Sequence, residues 1–220
     1  MDDFQIKYGD LSYPIYQKLK SMILSNELHP GQKILQEKIA KQLGVSRTPL
    51  LKALQMLEYE FLVESIPRRG IFVKEIDTQE LIDAFECREA LEGIAARRAA
   101  ENADEETVKK LSEIFKPFEN QKDIDIGQYE QADINFHDTL IKSSNNSILQ
   151  KLELVGNFLL RTYTKGLVRS PEITLSEHLQ IIGEIKAGNP ESAEQLARNH
   201  LQKSIDLLKQ QHLHKISKSK

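Results

Sequence analysis

The sequence predicts a mainly α protein: an N-terminal winged helix-turn-helix followed by a C-terminal all-α bundle. Three observations carry this. Residues 35–74 read LQEKIAKQLGVSRTPLLKALQMLEYEFLVESIPRRGIFVK, two short helical patterns around a Gly turn and then two β-rich runs around Pro67-Arg68-Arg69-Gly70. From Thr78 onward the apolar spacing is helical throughout, with no β-rich run and no internal repeat. Charge divides in the same place. Residues 12–74 hold ten Lys/Arg against five Asp/Glu on a chain whose net charge is −3, so a basic module sits on an acidic body.

The expected boundaries are a leader at 1–11, the DNA-reading module at 12–76, the helical domain at 77–213 and a basic, frayed tail at 214–220. In the module, Ile15, Leu19, Met22 and Ile23 share one helical face between Tyr13 and Leu28, with Pro14 in the first turn and His29-Pro30-Gly31 as the stop. A second helix spans Gln36–Leu43 and packs through Ile39, Ala40 and Leu43; Gly44 ends it. Ser46 is the expected N-cap of a third helix that runs to about Glu60 through Leu50, Ala53, Leu54 and Leu57. The hairpin follows. In the second part the spacing predicts six helices, at about 78–102, 104–121, 125–143, 147–168, 174–188 and 190–213.

Composition narrows the function classes. Cys87 is the single cysteine, which excludes a disulfide framework and a cysteine-based zinc site and fits a reduced, cytoplasmic setting. The N-terminus MDDFQIKYGD has no apolar signal core, and no apolar run reaches membrane-spanning length. No membrane partner is expected.

A helix-turn-helix reads DNA because a helix fits the major groove, where base edges carry a distinct donor and acceptor code. The third helix would insert its N-terminal end, presenting Ser46, Arg47, Thr48 and Lys52. Arg47 can fork onto a guanine or clamp a phosphate, and Ser46 and Thr48 suit phosphate contacts. Arg68 and Arg69, held at a tight turn by Gly70, would reach the minor groove or backbone from the hairpin tip.

At GVSRTPLLKAL (44–54) and RRGIFV (68–73) the chain resembles the GntR family of bacterial transcription regulators, whose pattern runs approximately G-V-S-R-T-P-V-R-E-A-L and then R-R-G-x-x-V. The resemblance covers about 13–76. It departs at Leu51 and Lys52, where the family pattern has Arg and Glu. Lys52 supplies a point charge there, without the bidentate geometry of Arg.

Three of the six histidines fall on amphipathic helices of the second part. Asp133 and His137 are four apart in YEQADINFHDTL, hence on one helical face; His178 lies in LSEHLQIIGEI and His200 in AEQLARNHLQKSI. Spacing leaves two readings open. These are ordinary helical histidines, or three imidazoles and a carboxylate converging on a divalent ion with open positions for a ligand oxygen. The second part is also similar to the FCD ligand-binding domain of the FadR subfamily. The resemblance lies in RxxLExxAARRAA (Arg88 to Ala100), DxxFHxxLxxSSNN (Asp133 to Asn146), EHLQIIxxIKAGNPxxA (Glu177 to Ala193) and the late His200, and six helices resemble its VanR-type branch. It implies a metal on Asp133, His137, His178 and His200, zinc first, with nickel, manganese or iron as alternatives, and a small organic acid as effector. Arg88 would bind that acid's carboxylate or else pair with Glu92 or Glu89; Asn157 and Arg161 are further effector candidates.

The resulting expectation is a homodimeric regulator, not an enzyme. It would bind a pseudo-palindromic double-stranded operator as a repressor and release it on binding the effector. A metal-dependent enzyme and a metal-free architectural DNA binder are the competing readings.

Overall fold

The computed structural model describes residues 11–121, 123–152 and 167–218. The chain divides into two compact units, Met1–Glu75 and Ile76–Lys220. The described residues are mainly helical in both, with one small sheet in the first.

The first unit holds α1 (Ser12–Leu24), α2 (Gln36–Leu43), α3 (Arg47–Tyr59) and the antiparallel pair β1 (Val63–Ile66) and β2 (Gly70–Val73). Its core is the apolar stripe of each helix. Leu19 of α1 and Leu50, Ala53 and Leu57 of α3 are fully buried, closed below by Leu62 and Val73. Burying each leucine stabilises by about 1.5–3 kcal/mol. α1 stops at Leu24, earlier than the spacing predicted, because Asn26 turns into the left-handed region (φ 58). Gly44 ends α2 at φ 65, a conformation costly to a side chain. Ser46 is extended at the N-cap of α3, yet its hydroxyl makes no capping bond. The hairpin gains an unforeseen neighbour. Lys33 bridges Phe72, and the Gly31 and Ile34 amides donate to the Val73 and Ile71 carbonyls, so residues 31–34 act as a third strand of the wing.

The second unit is built on α4 (Thr78–Glu101), which lies along α9 (Pro190–Lys218) and also meets α6 (Ile126–Ser143) and α8 (Pro171–Ala187). α5 (Glu105–Phe115) packs on α6 and α8, and residues 147–152 are helical (α7). Three aspartates start helices by accepting from the backbone three residues on: Asp77 from Glu80 in a reciprocal capping box, Asp104 from Thr107 and Asp125 from Gln128. Such caps are each worth about 0.5–2 kcal/mol. α5 ends six residues before the expected 121. Pro117 cannot continue an α-helix, and the chain tightens into a 3-10 turn, Lys116–Phe118. α8 starts at Pro171 with Ser170 as its N-cap, not at 174, since Pro is tolerated in a first turn. α9 runs on to Lys218, past the expected 213, because neither Gly nor Pro follows Pro190. The core joins the small face of α4 (Ala95, Ala96, Ala99) to Phe115, Tyr129, Phe136, Ile181 and Ala197.

Candidate functional site

Two groups of polar residues stand out, one in each unit. In the first, Ser46, Arg47, Thr48 and Lys52 are all exposed along the N-terminal half of α3, while Leu50 and Leu54 on its other face are buried. Leu51 is half-buried. Arg68 and Arg69 are exposed at the hairpin tip; Arg68 takes φ 62, Gly70 takes φ 107, and the Arg69 guanidinium lies over the Phe72 ring at 5.5 Å. Lys33 Nζ sits over the same ring at 5.8 Å, so the added strand brings a third cation to the wing.

In the second unit, four helices converge. Asp133 and His137 come from α6, His178 from α8 and His200 from α9, with Arg88 and Glu92 of α4 behind them. All three histidines are buried, His178 completely. One donor nitrogen from each can be chosen so that all lie within 4.8 Å of one another. His178 Nε2 is 3.2 Å from His200 Nε2 and 3.5 Å from an Asp133 oxygen; His137 Nε2 is 3.8 Å from the other. The His178 ring is held between Phe115, stacked at 4.6 Å, and Phe136.

The outer nitrogens determine what the inner ones can do. His137 Nδ1 is hydrogen-bonded to Glu92 Oε2. Burial raises the Glu92 carboxyl, but Arg88 and His137 outweigh it and hold it down to about 2. Glu92 is therefore an acceptor, and His137 donates from Nδ1. His200 Nδ1 lies 2.8 Å from Glu177 Oε2. Burial pushes that carboxyl up, and its bonds to His200, Arg169 and Lys203 bring it well below the usual range, so His200 also donates from Nδ1. His178 is fixed by a chain. Its Nδ1 is 3.1 Å from the Tyr129 hydroxyl, which is 2.9 Å from Thr174 Oγ1, which donates to the Ser170 carbonyl at 3.2 Å. A carbonyl can only accept. Thr174 thus accepts from Tyr129, and Tyr129 accepts from His178 Nδ1–H.

With Nδ1 engaged in each case, all three imidazoles turn Nε2 to a common space beside Asp133. Burial also holds the pKa of His178 well below, and that of His200 below, the usual histidine value, which keeps both rings neutral. Two lone pairs 3.2 Å apart beside a carboxylate call for a cation between them. Among the described residues no Lys or Arg is within ion-pair distance of Asp133, whereas the buried arginines are matched by glutamates, Arg88 by Glu92 at 2.6 Å and Arg169 by Glu177 at 2.7 Å. Three imidazole Nε2 atoms and one carboxylate suit a divalent ion. The residues present fit the metal that the resemblance implied.

Comparison with known proteins then bears on what the two units are. Residues 11–73 match the model of the bacterial regulatory proteins of the gntR family, and residues 83–203 match that of the FCD domain. An HTH-type transcriptional regulator of Bacillus subtilis strain 168, YdhC, is 30% identical over 220 residues, covering 95% of this chain and 96% of the relative.

The chain belongs to the GntR family of transcriptional regulators, with an FCD domain.

Another relative of this family, a probable D-xylose utilization operon transcriptional repressor of Paenarthrobacter nicotinovorans, is 30% identical over 188 residues, covering 81% of this chain and 80% of its own length. The solved structure of a putative transcriptional regulator GntR from Rhodococcus sp. RHA1 shares the fold with a TM-score of 0.67 at 21% identity, over 90% of this chain and 96% of that one. E. coli McbR/YncC does so with a TM-score of 0.67 at 23% identity, over 92% and 98%. The family is one of regulators, not enzymes, and no helix among the described residues is long and apolar enough to cross a membrane.

The geometry brings Asp133, His137, His178 and His200 together. Of the two roles open to Arg88, it displays the ion pair: both Nε and Nη2 bond Glu92 Oε1, while Glu89 pairs with Arg198 instead. Asn157 and Arg161 lie outside the described residues. Glu92 was legible as a partner of Arg88 four residues away, whereas helical spacing gave no role to Tyr129, Arg169, Thr174 or Glu177. A signal existed for Glu177, which directly precedes His178. Arg169 precedes a Ser-Pro pair and carries no periodic signal.

Proposed function

We propose that this regulator is a metal-dependent repressor controlled by a small organic acid. The observation that carries the reading is the set of three inward-facing Nε2 atoms and the Asp133 carboxylate. A divalent ion held by His137, His178, His200 and Asp133, zinc by preference over nickel, manganese or iron, would supply open positions for oxygen ligands of the acid. Asp133 is 22% exposed where the histidines are at most 5%, so the acid enters on the Asp133 side. Arg88 reaches His137 through Glu92, and an acid carboxylate would compete with Glu92 for its guanidinium.

Ser46, Arg47, Thr48 and Lys52 read or clamp the operator in the major groove, and Arg68, Arg69 and Gly70 form the wing contact. Two copies would pair and address two half-sites of a pseudo-palindrome in the cytoplasm. The repressor sense is supported by the Paenarthrobacter relative, a probable transcriptional repressor of a D-xylose utilization operon. The acid controls the operator only through its different affinities for the DNA-compatible and DNA-incompatible states.

The test is operator binding by the wild type and a His137→Ala/His178→Ala variant, each with zinc and with candidate acids. The expected result is an acid response in the wild type that the variant lacks, with operator affinity retained. An unchanged acid response in the variant would sink the metal-site reading.

A further inference from the structure

The Arg169 side chain is only 7% exposed; the residue lies in the short connection before α8 and belongs to none of the helices that carry the histidines. A buried guanidinium is costly unless all its donors are used. Here Nε donates to Ser204 Oγ at 3.0 Å, Nη1 to Glu177 Oε1 at 3.0 Å, and Nη2 to Glu177 Oε2 and to the His200 carbonyl, both at 2.7 Å. Nη2 is also 3.1 Å from His200 Nδ1, because both nitrogens donate to the same Glu177 oxygen. The fork therefore orients the carboxylate that sets the His200 tautomer and fixes the backbone His200 hangs from. The next residue completes the pattern: the Ser170 carbonyl ends the Thr174–Tyr129 chain that sets the tautomer of His178.

We infer that Arg169 is a positioning residue through which filling of the histidine site orders the connection into α8. The inference rests on the metal reading above. The outer hydrogen bonds of two of the three imidazoles converge on the dipeptide Arg169-Ser170, 31 residues from His200 along the chain. A cation at the Nε2 atoms makes each Nδ1–H a stronger donor, and so tightens both chains onto these two residues. Linkage makes this reciprocal: whatever orders Arg169 and Ser170 raises cation affinity by the same factor. The amides that report the ordering are those of Ile173 and Thr174, which donate to the Ser170 carbonyl in the first turn of α8.

The experiment uses the full chain and cobalt(II) alone. Affinity is measured by chelator competition, ligand field by the visible spectrum, and amide exchange at Ile173 and Thr174 with and without the ion. In the wild type, cobalt(II) is expected to bind and to slow those amides. Arg169→Met is expected to weaken binding by about 10- to 100-fold, the range for outer-shell partners, to alter the spectrum and to abolish the ion-dependent slowing. Arg169→Lys keeps the charge without the fork; it is expected to fall between the two and serves if the Met variant does not fold. Variants that bind cobalt(II) with wild-type affinity, spectrum and slowing overturn the role of Arg169 while leaving the metal site standing. A wild type that takes up no cobalt(II), zinc or nickel overturns the metal reading and this inference with it.

Discussion

The exposed basic residues of the first unit and the histidine cluster of the second are opposite solutions to presenting polar groups. Arg47, Lys52, Arg68 and Arg69 are exposed and rest on an apolar core that does not depend on them. Asp133 and the three histidines are held by Glu92, Glu177, Tyr129 and two buried arginines, each of which has its own partner. The first arrangement separates binding from stability. The second fuses them, because removing any member leaves another buried group unsatisfied.

The sharpest way to break this contrast is to cut one residue from each side. Glu92→Ala removes the carboxylate that Arg88 Nε, Arg88 Nη2 and His137 Nδ1 all bond, and is expected to cost about 3–5 kcal/mol of stability in denaturant unfolding. Arg47→Ala should change stability by no more than about 0.5 kcal/mol. In an operator titration, however, Arg47→Ala is expected to lose about 1–3 kcal/mol, provided its fork contacts a base. Equal stability losses in the two variants would erase the distinction.

Metal addition comes next in size. At a hundredfold excess over its Kd, a bound divalent ion stabilises the folded chain by about 2.7 kcal/mol. The expected outcome is a higher Tm for the wild type with zinc and no rise for His200→Ala.

pH sharpens the comparison further. The folded-state pKa of His178 lies well below its unfolded value of 6.5, so below pH 6.5 the unfolded chain takes up a proton that the folded chain refuses. This contribution is fully present above pH 6.5 and is lost as pH falls, at up to about 1.4 kcal/mol per pH unit. Glu92 adds a second loss of the same sign, from its unfolded 4.5 down toward about 2. Metal-free protein should therefore lose stability in two stages on acidification, as read by thermal melts from pH 8 to pH 3. His178→Phe is expected to shrink the first stage to the share that His200 contributes.

The smallest change is at the wing. Arg69→Ala should weaken operator binding about uniformly across sequences and reduce the salt slope by roughly one, with no shift in Tm.

Legibility followed the same division. The turn at Gly44, the hairpin tip and the exposed face of α3 are set by neighbours a few residues apart, and they stood in the sequence as one contiguous motif. The third wing strand did not, since nothing in Gly31–Ile34 but its pairing with β2 makes it extended. Within the bundle, Asp133 and His137 were legible as an i,i+4 pair on one face. That His178 and His200 would meet them rested on a resemblance, because helix spacing says which face is apolar but not which helix covers it.

The amino-acid sequence by itself determined where helices start and stop and which residues each presents on its buried or exposed face. The aspartate caps, the left-handed glycines and the 3.6-residue period are properties of adjacent residues. Only the tertiary structure decided that Arg88 faces Glu92 and not Glu89, that Arg169 clamps Glu177, and that all three imidazoles offer Nε2 inward. The reason is that a tautomer is chosen by the partner of the other ring nitrogen, and for His137, His178 and His200 that partner lies 45, 49 and 23 residues away.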